Sequence, residues 1–150
     1  MVISSAIRKY RYLLATIAFG VVLIMVIIGL FSIDNSTNKM IVEYIEGLGW
    51  KIEATPMEIT HLTIPDEFDA VYETYNAVQK HSGFHFEDFK GKKVIRYTYK
   101  VLNHANSKSS QVVAGVFVFE STIIGGEISS AEINGFMHAI TETTNIASSS

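Results

Sequence analysis

The sequence predicts an α+β domain held at a membrane: an N-terminal transmembrane helix, then one main helix packed on an antiparallel sheet. Three observations predict it. Leu13 to Phe31 is a run of nineteen residues without a charge, Asn, Gln or Pro. Phe68, Val71, Tyr72, Tyr75 and Val78 recur at helical spacing, which marks an amphipathic helix. Beyond Lys93, short β-rich runs are joined by short polar links, the pattern of antiparallel neighbours.

The apolar run sets the topology. A helix rises about 1.5 Å per residue, so roughly 20 apolar residues cross a hydrocarbon core about 30 Å thick. With Ser32 and Ile33 the anchor covers 13–33. Arg8, Lys9 and Arg11 precede it, and no acidic residue comes before Asp34. Basic flanks stay on the cytoplasmic side, so 1–12 is expected inside and Asp34 onward outside. A cleaved signal peptide fits less well, because its apolar region is about 7–15 residues long and ends in a small-x-small site. Phe31 to Asn35 offers no such site. The chain is therefore expected in the cell membrane as a single-pass protein.

The elements after the anchor follow in order. Residues 34–38, DNSTN, form a polar stalk, and 39–140 form the extracytoplasmic domain. Met40, Ile41, Tyr44, Ile45 and Leu48 make one helical face, ended by Gly47 and Gly49. From Trp50 the pattern turns extended, and Met57 to Ile64 suits a strand. Pro65-Asp66-Glu67 is expected to open the main helix, since proline and acids favour a first turn. Gly83 stops that helix, and Phe84, Phe86 and Phe89 are placed to plug the end of the core. In the strand Lys93–Asn103, Ile95, Tyr97, Tyr99 and Val101 share one face and Arg96, Thr98 and Lys100 the other. Gln111–Phe119 and Thr122–Ser129 complete a meander of three or four strands. Ala131–Ile140 reads as a short helix or closing turn, and 141–150 as a disordered tail. The architecture is similar to a cystatin-like shape, a likeness of form that carries no function.

Composition excludes several functions. The chain has no cysteine, which rules out disulfides, thiolate catalysis and cysteine zinc sites. All fifteen acidic residues but only nine of the twelve basic ones lie from Asp34 onward. A domain with six excess negative charges is a poor nucleic-acid binder. His81 and His85 are four apart, but Gly83 lies between them and no Glu completes a helical zinc motif. His61, His104 and His138 are scattered. Asp66, Glu67, Asp69 and Glu73 suit a helix start, while Glu127 and Glu132 flank a turn. No nucleophile elbow or phosphate loop is present. No cofactor, metal site or catalytic residue is expected.

Candidate ligand-binding residues are Tyr72, Tyr75, Asn76 and Gln79 on the main helix with Tyr97 and Tyr99 on the sheet, lining a groove between the two. Lys90, Lys92, Lys93, Arg96 and Lys100 form a candidate basic patch for anionic headgroups or wall polymers. The leading expectation is a binding or interaction module that meets an unknown protein or cell-envelope ligand. The alternative is an envelope hydrolase or transferase, which requires at least two of Asp69, Glu127, Glu132 and His138 to converge in one cleft.

Several strings occur in a distinctive order: GLGW (Gly47–Trp50), IPDEFDAVYETYNAVQKHSGF (Ile64–Phe84), KGKKVIRYTYKV (Lys90–Val101), IIGGEIS (Ile123–Ser129) and NGFMHAI (Asn134–Ile140). In these the chain resembles the family called domain of unknown function 4830, over Lys39 to Ile140. The resemblance implies a small bacterial protein with an N-terminal span or lipid anchor. Ser129 and Ser130 stand where the family pattern has a Cys. The resemblance assigns no catalytic or binding residue.

Overall fold

The computed structural model describes residues 35–130, 132 and 135–147. The predicted anchor, 13–33, lies outside them. Among the described residues, no helix is long and apolar enough to cross a membrane. The chain divides into two compact units, 1–37 and 38–150, and the second carries the sheet.

Helix α1 (residues 35–47) leads into strand β1 (Glu58–Thr63). Helix α2 (Ala70–His81) and a 3-10 turn (Phe86–Phe89) follow. Strands β2 (Lys93–Lys100), β3 (Val112–Phe119), β4 (Thr122–Ser130) and β5 (Met137–Ala139) complete the sheet. Its order is β1-β2-β3-β4-β5, and every pairing is antiparallel. Two helices pack on this five-stranded sheet, an α+β architecture.

Each face of the sheet has its own core. Ile41 and Ile45 of α1 pack with Trp50, Tyr97, Tyr99, Val112, Ala114 and Val116. Phe117, Val94 and Ile124 point the other way, to Phe86 and Ile64. Covering both faces removes the need for polar alternation, so β3 reads VVAGVFVF and is buried along nearly its whole length. At Phe117/Val118 the β3–β4 register shifts, a bulge of the kind that re-aims side chains.

The sheet therefore carries a helix on each face, where one covering helix was expected. The stretch expected as a short helix or closing turn supplies β5 instead, with Met137 paired to Ser129 and Ala139 to Glu127. Residues 143–145 form a 3-10 turn and Ile146 bridges His104, within the segment expected to be a disordered tail.

Helix α2 also differs from its expected form. It begins at Ala70, because the Asp69 carboxylate accepts the Tyr72 N–H at 2.9 Å and caps the first turn. Asp66 and Glu67 precede it. The predicted apolar stripe is buried only in part: Phe68 and Tyr75 are half-buried against the core and Val71 is 71% exposed, whereas Asn76 and Gln79 are buried. The cause lies in how the helix meets the sheet. Gln79 Oε1 accepts the Gly126 N–H at 2.7 Å, and Ser82 Oγ accepts the Ile140 N–H at 3.2 Å. These polar bonds dock the C-terminal half of α2, and the tyrosines of the other half stand over a cavity.

Candidate functional site

The cavity encloses about 330 Å³. Tyr72, Tyr75 and Val71 of α2 form one wall, with Leu62 of β1, Phe86, Phe117 of β3 and Met137 of β5 around them. Phe86 and Phe117 meet edge to face at 5.0 Å, and Tyr75 lies 5.8 Å from Phe117. Among the described residues, Arg96 is the one charged residue in the lining.

Arg96 rises from β2 and crosses β3 to reach Glu127 on β4. Its Nη2 donates to Glu127 Oε1 at 2.6 Å, and its Nη1 donates to Thr98 Oγ1 at 3.2 Å. The strand register explains how it can cross. Thr98, Gly115 and Glu127 stand side by side on β2, β3 and β4. A Cβ on Gly115 would lie 2.6 Å from Arg96 Nη2 and would collide with Glu127 Oε1. Only glycine leaves the side chain a path. Gly125 serves the neighbouring contact in the same way, since a Cβ there would sit 2.9 Å from Gln79 Oε1.

Glu127 is completely buried. Burial pushes its carboxyl above the usual carboxylate range, and Arg96, Tyr75 and Gln79 pull the other way without reversing the shift. Burial, reinforced by the Glu127 charge, also holds the Tyr75 phenol well above its ordinary value, so it stays protonated. Tyr75 and Gln79 approach the Glu127 carboxylate as hydrogen-bond partners beside Arg96, while Asn76 Oδ1 and Arg96 Nε are buried and have no partner among the described residues. Buried polar atoms are normally paired, so these unmet groups single the site out. Arg96 also lines an adjoining open groove with Met57, Thr98 and Gln111.

A family model described as Domain of unknown function (DUF4830) matches residues 44–128, more than half of the chain. The chain belongs to this family. No curated protein and no solved structure matches it. The match takes in Tyr72, Tyr75, Arg96, Gly115, Phe117 and Glu127 but ends before Met137, so the family region holds most of the cavity and its whole ion pair. It is shorter at both ends than the expected Lys39–Ile140.

Of the candidate ligand-binding residues, the DUF4830 fold brings Tyr72 and Tyr75 into the cavity wall and buries Asn76 and Gln79 beside it. Tyr97 and Tyr99 lie on the opposite face, in the core under α1. The Tyr99 hydroxyl donates to Asn38 Oδ1 at 2.8 Å. The expected groove is thus lined by two of the four tyrosines, because strand alternation sends Tyr97 and Tyr99 away from Arg96.

The candidate basic patch disperses. Arg96 is drawn inward by Glu127. Lys100 pairs with Glu53 at 2.8 Å, and Lys90 sits 4.3 Å over the Phe68 ring. Lys92 and Lys93 are exposed at the start of β2. The hydrolase alternative, which needs at least two of Asp69, Glu127, Glu132 and His138 in one cleft, finds these groups dispersed as well. Glu127 faces the α2 side, His138 packs 6.1 Å from Trp50 on the other side, Asp69 caps α2, and Glu132 is exposed. Leu62, Phe86, Phe117 and Met137 were not expected as site residues. The one sequence sign of the pair is a glycine in the apolar run of β3, with Arg96 and Glu127 in the strands on either side.

Two of the scattered histidines meet beneath α1. The Asn106 N–H donates to His104 Nδ1 at 3.1 Å, which places the His104 proton on Nε2. That Nε2 faces His138 Nε2 at 3.4 Å, and His138 Nδ1 lies 3.0 Å from the Ala139 carbonyl oxygen. The chain of contacts suits two neutral rings, since a further proton on either would set donor against donor. Burial, helped by His138, lowers the His104 pKa. Among the described residues, no group of three or more His, Asp or Glu is placed to hold a metal ion.

The sign of the resulting pH dependence follows. Folded His104 binds a proton less readily than the unfolded chain, whose histidines titrate near about 6.5. Its contribution to stability is complete above that value and is lost as pH falls through the lower folded value. Urea midpoints are expected to drop between pH 7.5 and pH 5.5. In the His104→Gln variant the drop is expected to shrink; an unchanged slope would assign the effect to other groups.

Proposed function

We propose that this chain is a single-pass membrane protein that presents its DUF4830 domain outside the cell as a ligand-binding module, with the cavity under α2 as its site. The observation that carries this reading is an aromatic-walled cavity with one cation set into its floor. Small-molecule sites have this character: mostly apolar walls, a few fixed polar groups and volumes of roughly 300–1,000 Å³. The basic residues ahead of the apolar run 13–33 support the orientation.

Two experiments test it. Reporter fusions after Ser32 and at the C-terminus are both expected to register outside the membrane, and a cytoplasmic signal from the C-terminal fusion would reverse the topology. For the site, the full chain in zwitterionic nanodiscs is labelled on Leu and Met methyl groups and titrated with small aromatic compounds. Saturable shifts at Leu62 and Met137, abolished by Val71→Trp at the cavity mouth, are expected. Shifts confined to the α1 face would remove the cavity as the binding site.

A further inference from the structure

The polar end of the cavity indicates what kind of head the ligand carries. Arg96 is held by Glu127, Thr98 and Tyr75, while its Nε is buried and has no partner among the described residues. The guanidinium lies 5.8 Å from the Phe117 ring, in the cavity lining. A planar guanidinium with a free edge is matched by a planar oxyanion, above all a carboxylate, which can accept two of its N–H groups. A single arginine already half committed to Glu127 suits one negative charge better than a phosphate dianion. At about 30 Å³ for each water-sized group, the cavity takes roughly ten non-hydrogen atoms.

A carboxylate arriving there meets a second one. Glu127 faces Arg96 from β2, Tyr75 and Gln79 from α2, Gly115 from β3 and Ala139 from β5. Arg96 is the one positive charge among these, and Tyr75 is a neutral phenol. Two carboxylates sharing one cation at close range do not both stay ionised. The one shut away from water is Glu127.

Resting on the cavity as the binding site, we infer that the ligand is a monocarboxylate with an aromatic or aliphatic body of about ten non-hydrogen atoms, and that its binding puts a proton from solvent on Glu127. The ligand carboxylate takes the free edge of Arg96 and keeps its charge. Glu127 becomes a neutral acid, and the site holds one cation and one anion before and after. One proton leaves the buffer for each ligand bound.

The probes are 3-phenylpropionate and its alcohol, 3-phenylpropanol, titrated calorimetrically into the full chain in zwitterionic nanodiscs at pH 7. Runs in phosphate and in Tris give the proton count from the difference in heat. The acid is expected to bind about tenfold more tightly than the alcohol, the scale of one charge-assisted hydrogen bond, with close to one proton taken up. In Glu127→Gln, checked for folding by its melting curve, uptake is expected to vanish while acid binding persists. The proton count in the unaltered chain stands even if that variant fails to fold. Acid binding without uptake, or equal binding of acid and alcohol, would overturn the inference and leave the cavity as a site. Binding of neither would overturn the inference and count against the cavity itself.

Discussion

Gly115→Ala is expected to cost the domain about 3–5 kcal/mol, the range for breaking a buried ion pair. The added methyl occupies the space where the Arg96 guanidinium and the Glu127 carboxylate meet. Glu127 has no free retreat and Arg96 only a limited one. Glu127 is fully buried, and Arg96 is tied to Thr98 and pressed against Phe117. Domains of this size are stable by about 5–15 kcal/mol, so the variant should unfold at a far lower urea concentration. Gly47→Ala is the matched control, since nothing lies within 4 Å of a Cβ there. It should leave stability unchanged or raise it by up to about 1 kcal/mol through helix propensity. Equal behaviour of the two variants would contradict the crossing geometry.

Arg96→Met is expected to cost about 3 kcal/mol on its own and much less in company with Glu127→Leu. Removing the cation alone strands a carboxylate in the interior, whereas removing both leaves an apolar contact. The lower end of the range applies because the Arg96 side chain is 24% exposed. The single variant carries a pH signature as well. Its Glu127, pushed up by burial and relieved of the opposing charge, folds more readily as an acid. The deficit should therefore narrow as pH is lowered from 7 towards 5. A double-mutant cycle in urea separates the possibilities: simple additivity of the two losses would mean that the pair acts as two independent residues.

Much of the strand layout was legible in the sequence. β-branched residues marked Met57–Ile64, alternation marked Lys93–Asn103, and the apolar run of β3 marked a strand, though not that a helix covers each of its faces. What escaped has specific causes. Asp66, Glu67 and Asp69 are equally plausible first-turn acids, and only the bond from Asp69 to the Tyr72 N–H selects among them. Strand β5 is three residues long, too short for alternation to show. The stripe of α2 misled in part: Tyr75 does pack on Phe117 of β3, but the helix is also docked by Gln79 and Ser82 through backbone groups, and Val71 is left exposed. The Arg96–Glu127 pair depends on the register of three strands at once, which no local pattern encodes. Tyr75 and Gln79 were identifiable as aromatic or polar groups near the core, but their common neighbour Glu127 lies about fifty residues further on.

Strand β5 has a consequence of its own. Neighbouring strand residues point to opposite faces, so Met137 closes the cavity while His138 stacks against His104 and lies beside Trp50. The indole of Trp50 donates to the carbonyl of Ile140, immediately past the same strand. Strand β5 therefore stands as a wall between the cavity and Trp50. Trp50 is the sole tryptophan of the chain, so its emission is a built-in gauge, read from the far side of the wall, of how tightly β5 is seated.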